Sequence, residues 1–188
     1  MLPWAEAADS RLLWILFLTL LFLAIWVGSF KADPQLEKRK QGERPMVAFE
    51  MAGSPEESKK LLDSWKEKDE NAYEKFRIAL MWDFVFIFLY PASTAVACFI
   101  ATRFLSARGI VDYRYGLALM VLQLLAAILD VTENLSLLRI LRGPIENPWP
   151  QIAKWCAIPK FIIVGAGMLY ALLGGLIWIV TRFKVGRV

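Results

Sequence analysis

Hydrophobic positions in this chain fall into four nearly unbroken runs rather than into the spacing of a water-facing fold. The runs cover residues 12–30 (LLWILFLTLLFLAIWVGSF), 78–102, about 115–138 and about 159–181, each 19 or more residues long. A helix rises about 1.5 Å per residue, so about 20 residues cross the ~30 Å hydrocarbon core of a bilayer. Strict alternation of apolar and polar positions is absent, and lipid offers no hydrogen-bond partner to an open strand, so the runs predict helices. The first run is too long for a signal-peptide core, and no small-x-small site precedes KADPQLEKRK, so it reads as an uncleaved first span.

Polar positions gather between the runs. The loop 31–77 is the one sizeable hydrophilic segment, and its first half (KADPQLEKRKQGERP) is rich in Pro and charge. Its second half opens a helix: Ser54, Pro55 and Glu57 supply an N-cap, a proline at the first helical position and an acid at the third. Leu61, Leu62, Trp65, Ala72 and Phe76 then recur at helical spacing among Lys, Glu and Asp. That pattern predicts an amphipathic surface helix over about 55–77, running on into the second span. The turn 106–114 holds Gly109 and arginines, and Gly143-Pro144 with Pro148-Trp149-Pro150 breaks the chain before a short interfacial piece that leads to Pro159. The fold expected is therefore all-α: a single integral membrane domain, an antiparallel bundle of four transmembrane helices with a surface helix in the first loop.

Composition sharpens this picture. The chain is 57% hydrophobic over 188 residues, with a mean hydropathy of +0.46. It has no histidine, which removes His-ligated haem, His-type metal sites and a His general base. Cys98 and Cys156 fit neither a CxxC pair nor a metal-ligand spacing, and no cofactor is expected. The net charge of +4 is accounted for by juxtamembrane Lys and Arg without a nucleic-acid partner. Orientation is not fixed, because basic residues follow the first span while others cluster at the 106–114 turn and the RFKVGR tail. Trp4, Trp26, Trp82, Trp149, Trp155 and Trp178 fall near span ends, as interfacial anchors do.

Against this apolar background, ILDVTENLSLL carries Asp130, Glu133 and Asn134 at i, i+3 and i+4, one face of the third span. A charged side chain at mid-span costs about 2.5–3.5 kcal/mol even on lenient scales, so it needs a partner or a use. Counting along the spans places Asp83, Glu133 and Lys160 at one depth, with Asp130 and Tyr90 extending the layer inward. The loop lies on the same side, so Glu50 and Trp65 are lid candidates over the ion- or ligand-binding candidates Asp83, Tyr90, Asp130, Glu133, Asn134 and Lys160. Three acids against one nearby base push at least one carboxyl towards protonation. Three readings follow: a protein that binds or moves a cation, proton or lipid headgroup; an accessory subunit whose polar layer is structural; or an intramembrane acid/base enzyme on a lipid or isoprenoid. The enzyme reading lacks a nucleophile beside a base and any DxxD repeat. Gly167, Ala171 and Gly175 form a small-residue stripe for close packing within the chain or in a homodimer, with membrane lipid as the surrounding partner. Tyr90-Pro91 predicts a kink whose freed backbone groups Ser93 and Thr94 could satisfy.

The order FEMAGSPEESKKLLDSW, MWDFVFIFLY, ILDVTENLSLL and a PKF start to the last span resembles a widespread class of small four-span bacterial membrane proteins. These show an acidic AGT/S-P-E loop helix, an LDF-like second span, an LD-x-x-EN third and a KF-led fourth. The resemblance covers Phe49 to the C-terminus and falls on Glu50, Asp83, Tyr90, Asp130, Glu133, Asn134 and Lys160. It implies the four-span fold and a bacterial inner-membrane location, and it implies no activity.

Overall fold

The structure, a computed structural model, describes residues 9–31 and 45–185; Trp4 and the Pro- and charge-rich stretch 32–44 lie outside the described residues. Among the described residues six helices follow in order: α1 Ser10–Lys31, α2 Pro45–Glu50, α3 Pro55–Lys66, α4 Ala72–Ala107, α5 Tyr113–Arg142 and α6 Trp149–Val185. No strand occurs among the described residues. Helices α1, α4, α5 and α6 are each long and apolar enough to cross a membrane. Much of their apolar surface faces outward, as at Phe22, Phe88, Leu124 and Leu172.

Four expectations need correcting. The loop helix does not run from 55 to 77 into the second span: α3 stops at Lys66 and α4 begins at Ala72. Asp69 makes the break, its side chain accepting from the Asn71 amide at 2.9 Å and its carbonyl accepting from the Ala72 amide at 3.0 Å. Lys75 then closes on Asp69 at 2.6 Å. A short acid that bonds its own following backbone competes with helix continuation, which periodicity alone does not reveal. Nor is the apolar side of α3 laid out for lipid. Leu62 and Trp65 are 1% exposed, buried in a cluster with Phe49, Phe76, Leu80, Leu137 and Ala153.

The last long helix starts at Trp149, not at Pro159, which lies inside α6. Pro150 occupies the first turn, where the missing N–H has no partner to lose. Ala153 and Ala157 are fully buried, and the helix continues through Pro159. Pro91 is likewise internal to α4. The carbonyl it deprives is that of Ile87, four residues back. Ser93 and Thr94 do not repair that loss; both hydroxyls donate to the Tyr90 carbonyl at 2.9 Å.

The chain divides into two compact units, each drawing on all four long helices. One comprises the N-terminal part through Ala24, Leu89–Ala126 and Phe161 onward; the other comprises Ile25–Phe88 and Ala127–Lys160. The first unit packs through small residues. A Cβ on Gly174 would stand 2.6 Å from the Cβ of Ala101, and one on Gly167 would stand 2.6 Å from Gln123 Nε2 and 3.0 Å from Thr94 Cγ2. The part of the small-residue stripe at Gly167 is thus used within the chain, whereas Gly175 has nothing within 4 Å. Its buried polar groups are neutral and lean on backbone. Cys98 donates to the Gly167 carbonyl, Thr102 donates to the Cys98 carbonyl and meets the Tyr170 hydroxyl, and Gln123 donates to the Leu119 and Ile163 carbonyls.

Candidate functional site

The second unit has an ionisable interior. On α5 the i, i+3, i+4, i+7 face is Asp130, Glu133, Asn134 and Leu137, and all four are buried, Glu133 and Asn134 to 0% exposure. A face this polar is stable only against matching groups from other elements. α4 supplies Asp83 and α6 supplies Lys160, both buried. The Asn134 amide donates to Asp83 Oδ2 at 2.6 Å. The Lys160 ammonium donates to Asp130 Oδ1 at 2.9 Å and lies 2.7 Å from Glu133 Oε2, a close ion pair without hydrogen-bond alignment.

The fourth acid comes from outside the long helices. Phe49, on the one-and-a-half turns of α2, packs edge-on to Trp65 (5.7 Å between ring centroids) and Phe76 (6.0 Å), while Trp65 and Phe76 stack in parallel at 4.1 Å. This aromatic anchor carries the adjacent residue, Glu50, into the interior, where it is 5% exposed. The chain then reverses through Gly53, whose φ of +75° favours glycine and whose missing Cβ leaves room for the Lys154 side chain. Ser54 caps α3 by accepting from the Glu57 amide at 3.1 Å, with Pro55 in the first turn.

Glu50 lies within electrostatic reach of Glu133. Both are acceptors when ionised; among the described residues Glu50 Oε2 and Glu133 Oε1 have no hydrogen-bond donor, and Glu133 Oε2 has only the ion pair with Lys160. Two buried carboxyl groups within reach of each other repel unless one carries a proton or a base compensates them. Burial, chiefly, raises the Glu50 carboxyl above its ordinary value, with Asp83 and Asp130 adding repulsion against the opposing pull of Lys160. Four acids and one base therefore occupy one buried centre, with Asn134 Oδ1 a further acceptor lacking a donor.

The structure thus brings together Asp83, Asp130, Glu133, Asn134 and Lys160, and it adds Glu50 as a full member. Trp65 belongs to the aromatic anchor behind Glu50. Tyr90 belongs to the first unit. Sequence reasoning passed over Cys156, one turn before Lys160 on α6 and within electrostatic reach of Glu133 and Lys160; the i, i+4 spacing was the available signal. Among the described residues, no group of three or more His, Cys, Asp or Glu side chains has the arrangement to hold a metal ion. No protein-family model matches this chain, and no curated protein or solved structure gives a match.

Proposed function

We propose that this chain is an integral membrane protein, an antiparallel bundle of four transmembrane helices, whose buried carboxylate–lysine centre binds and exchanges a proton. The observation that carries the reading is the pair Glu50 and Glu133, two buried acids within electrostatic reach of each other, with the Lys160 ammonium shared between Glu133 and Asp130. An excess of acid over base in a low-dielectric interior is relieved most simply by a proton, and uncompensated acids in spans mark proton and ion pathways. A metal cation fits less well, because Lys160 already contacts both Asp130 and Glu133. Exposed apolar surface on all four long helices supports insertion, and the motif resemblance supports a bacterial inner membrane.

Infrared spectroscopy of the detergent-solubilised protein tests the proton directly. The wild type is expected to show the carbonyl stretch of a protonated carboxylic acid at neutral pH, and Glu50→Gln or Glu133→Gln is expected to remove it. A wild type with every carboxyl ionised at neutral pH would sink the reading.

A second reading, a structural network that sets helix register, is favoured by the two well-made contacts, Asn134 to Asp83 and Lys160 to Asp130. On that reading no carboxyl exchanges its proton as external pH changes, so the infrared band stays constant over the pH range in which the protein is folded.

A further inference from the structure

One proton does not complete the carboxylate centre. Three buried acceptors there have no hydrogen-bond donor among the described residues: Glu50 Oε2, Glu133 Oε1 and Asn134 Oδ1. Buried polar atoms are nearly always paired, and each orphan costs free energy comparable to a lost hydrogen bond. A proton on one of the two glutamates turns one oxygen into a donor, and that donor serves a single acceptor. One acceptor is then left over. Asn134 is the member that points beyond the proton, because it is neutral, 0% exposed and next to Glu133 on α5. Its Nδ2 donates to Asp83 Oδ2 at 2.6 Å, which holds the carboxamide inside the centre and leaves the buried Oδ1 as an acceptor.

The centre already accommodates one cation rich in N–H groups, the Lys160 ammonium between Asp130 and Glu133. Its acids do not have the arrangement of a metal site, so hydrogen bonds rather than coordination would satisfy the remaining oxygens. We infer that the centre binds a protonated amine, an ammonium ion or the –NH3+ of a headgroup, whose N–H groups donate to Glu50 Oε2, Glu133 Oε1 and Asn134 Oδ1. Such a nitrogen carries several donors at once, and its charge meets the excess of acid. The Glu50 carboxyl moves aside to admit it, and Glu50 is carried by the six-residue helix α2 rather than by a long one. The amine enters as the carboxyl proton leaves to water, so the exchange does not change the charge of the centre. The inference rests on the proposed proton site and names what exchanges with the proton.

The test places the full chain in phosphatidylcholine nanodiscs, whose quaternary headgroup has no N–H, and follows the protonated-carboxyl infrared band at neutral pH. Ammonium chloride, potassium chloride and tetramethylammonium chloride are compared at equal ionic strength; potassium is close to ammonium in size and charge but brings no N–H. Ammonium is expected to remove most of the band and raise Tm, while the other two salts leave both unchanged. Replacing part of the phosphatidylcholine by phosphatidylethanolamine separates the sources. Loss of the band without added ammonium assigns the amine to a lipid headgroup, and loss only with ammonium assigns it to the free ion. Asn134→Leu should keep the band and weaken the ammonium response on the order of tenfold, as expected for one hydrogen bond to a charged group. Gln123→Leu, in the other unit, should respond as the wild type does. If Asn134→Leu does not fold, the comparison of ammonium with potassium on the wild type still decides. Equal responses to ammonium and potassium, a band that neither amine source alters, or a wild-type response in Asn134→Leu would each overturn the inference and leave the proton site standing. A band absent in every salt would instead remove the proton site, and this inference with it.

Discussion

The two units solve the same problem, polar groups inside an apolar chain, by different means. In the unit of Leu89–Ala126, each donor goes to a nearby acceptor: Thr102 to the carbonyl one turn back, Cys98 and Gln123 to carbonyls on α6. None of these groups is charged at neutral pH. In the unit of Ile25–Phe88 and Ala127–Lys160, the polar groups are ionisable and depend on one another across α2, α4, α5 and α6. Neutral side chains that lean on backbone can each be removed at modest cost, because the backbone keeps its helical bonds. Charges that lean on charges cannot, because each removal leaves another charge buried alone. The first arrangement suits packing, and the second is the one that can hold a transferable proton.

The largest expected effect tests this contrast directly. Lys160→Met leaves Asp130 and Glu133 without their base and should cost about 3–5 kcal/mol, a fall in Tm on the order of 10 °C in detergent. Adding Glu133→Gln should recover much of the loss. Gln123→Leu, in the other unit, gives up two long contacts of 3.4 Å and should cost no more than about 1.5 kcal/mol. Comparable losses from Lys160→Met and Gln123→Leu would erase the distinction between the units.

An intermediate effect probes the packing that the first unit relies on. Gly174→Ala puts a methyl 2.6 Å from the Ala101 Cβ and 3.3 Å from its Cα, so helix backbones must move apart. Overpacking of this kind costs about 1–3 kcal/mol. Gly165→Ala meets nothing within 4 Å and should be neutral or stabilising by up to about 1 kcal/mol, since alanine is the better helix former. Thermal unfolding of the two variants side by side checks both signs; equal behaviour would mean that Gly174 does not mediate a close contact.

The four long helices were legible because length and hydropathy alone constrain a spanning segment. The α5 face was legible too, since i, i+3, i+4 spacing places Asp130, Glu133 and Asn134 together on any helix, and depth counting brought Asp83 and Lys160 to them. What stayed hidden depended on tertiary packing. Asp69 ends the loop helix through bonds to its own backbone, which compete with an otherwise continuous periodic pattern. Pro159 looks like a helix start until the burial of Ala153 and Ala157 extends α6 back to Trp149. Glu50 looks like a loop acid, and only the edge-on packing of Phe49 against Trp65 and Phe76 shows that its neighbour is pulled inside. Partner choice was the least legible: Asp83 accepts from Asn134, and Lys160 bridges Asp130 and Glu133.

The smallest expected effect is a slope rather than a loss, and it isolates one proton. Burial raises the Glu50 carboxyl in the folded protein above the 4.5 of a solvated glutamate, so the folded state holds this proton more tightly than the unfolded state does. Stability from that proton is fully present below about pH 4.5 and is lost as pH rises through the raised folded value. Tm of the wild type should therefore decline over that window. Glu50→Gln keeps a neutral polar group at the position, so it should decline less and be the more stable of the two once the window is passed. Gln123→Leu, which alters only the neutral interior, should keep the wild-type slope. If Glu50→Gln keeps it as well, the proton does not reside on Glu50, and the contrast between the units loses its titratable half. If only Glu50→Gln flattens the curve, a residue on the six-residue helix α2 controls the protonation of a centre built by α4, α5 and α6.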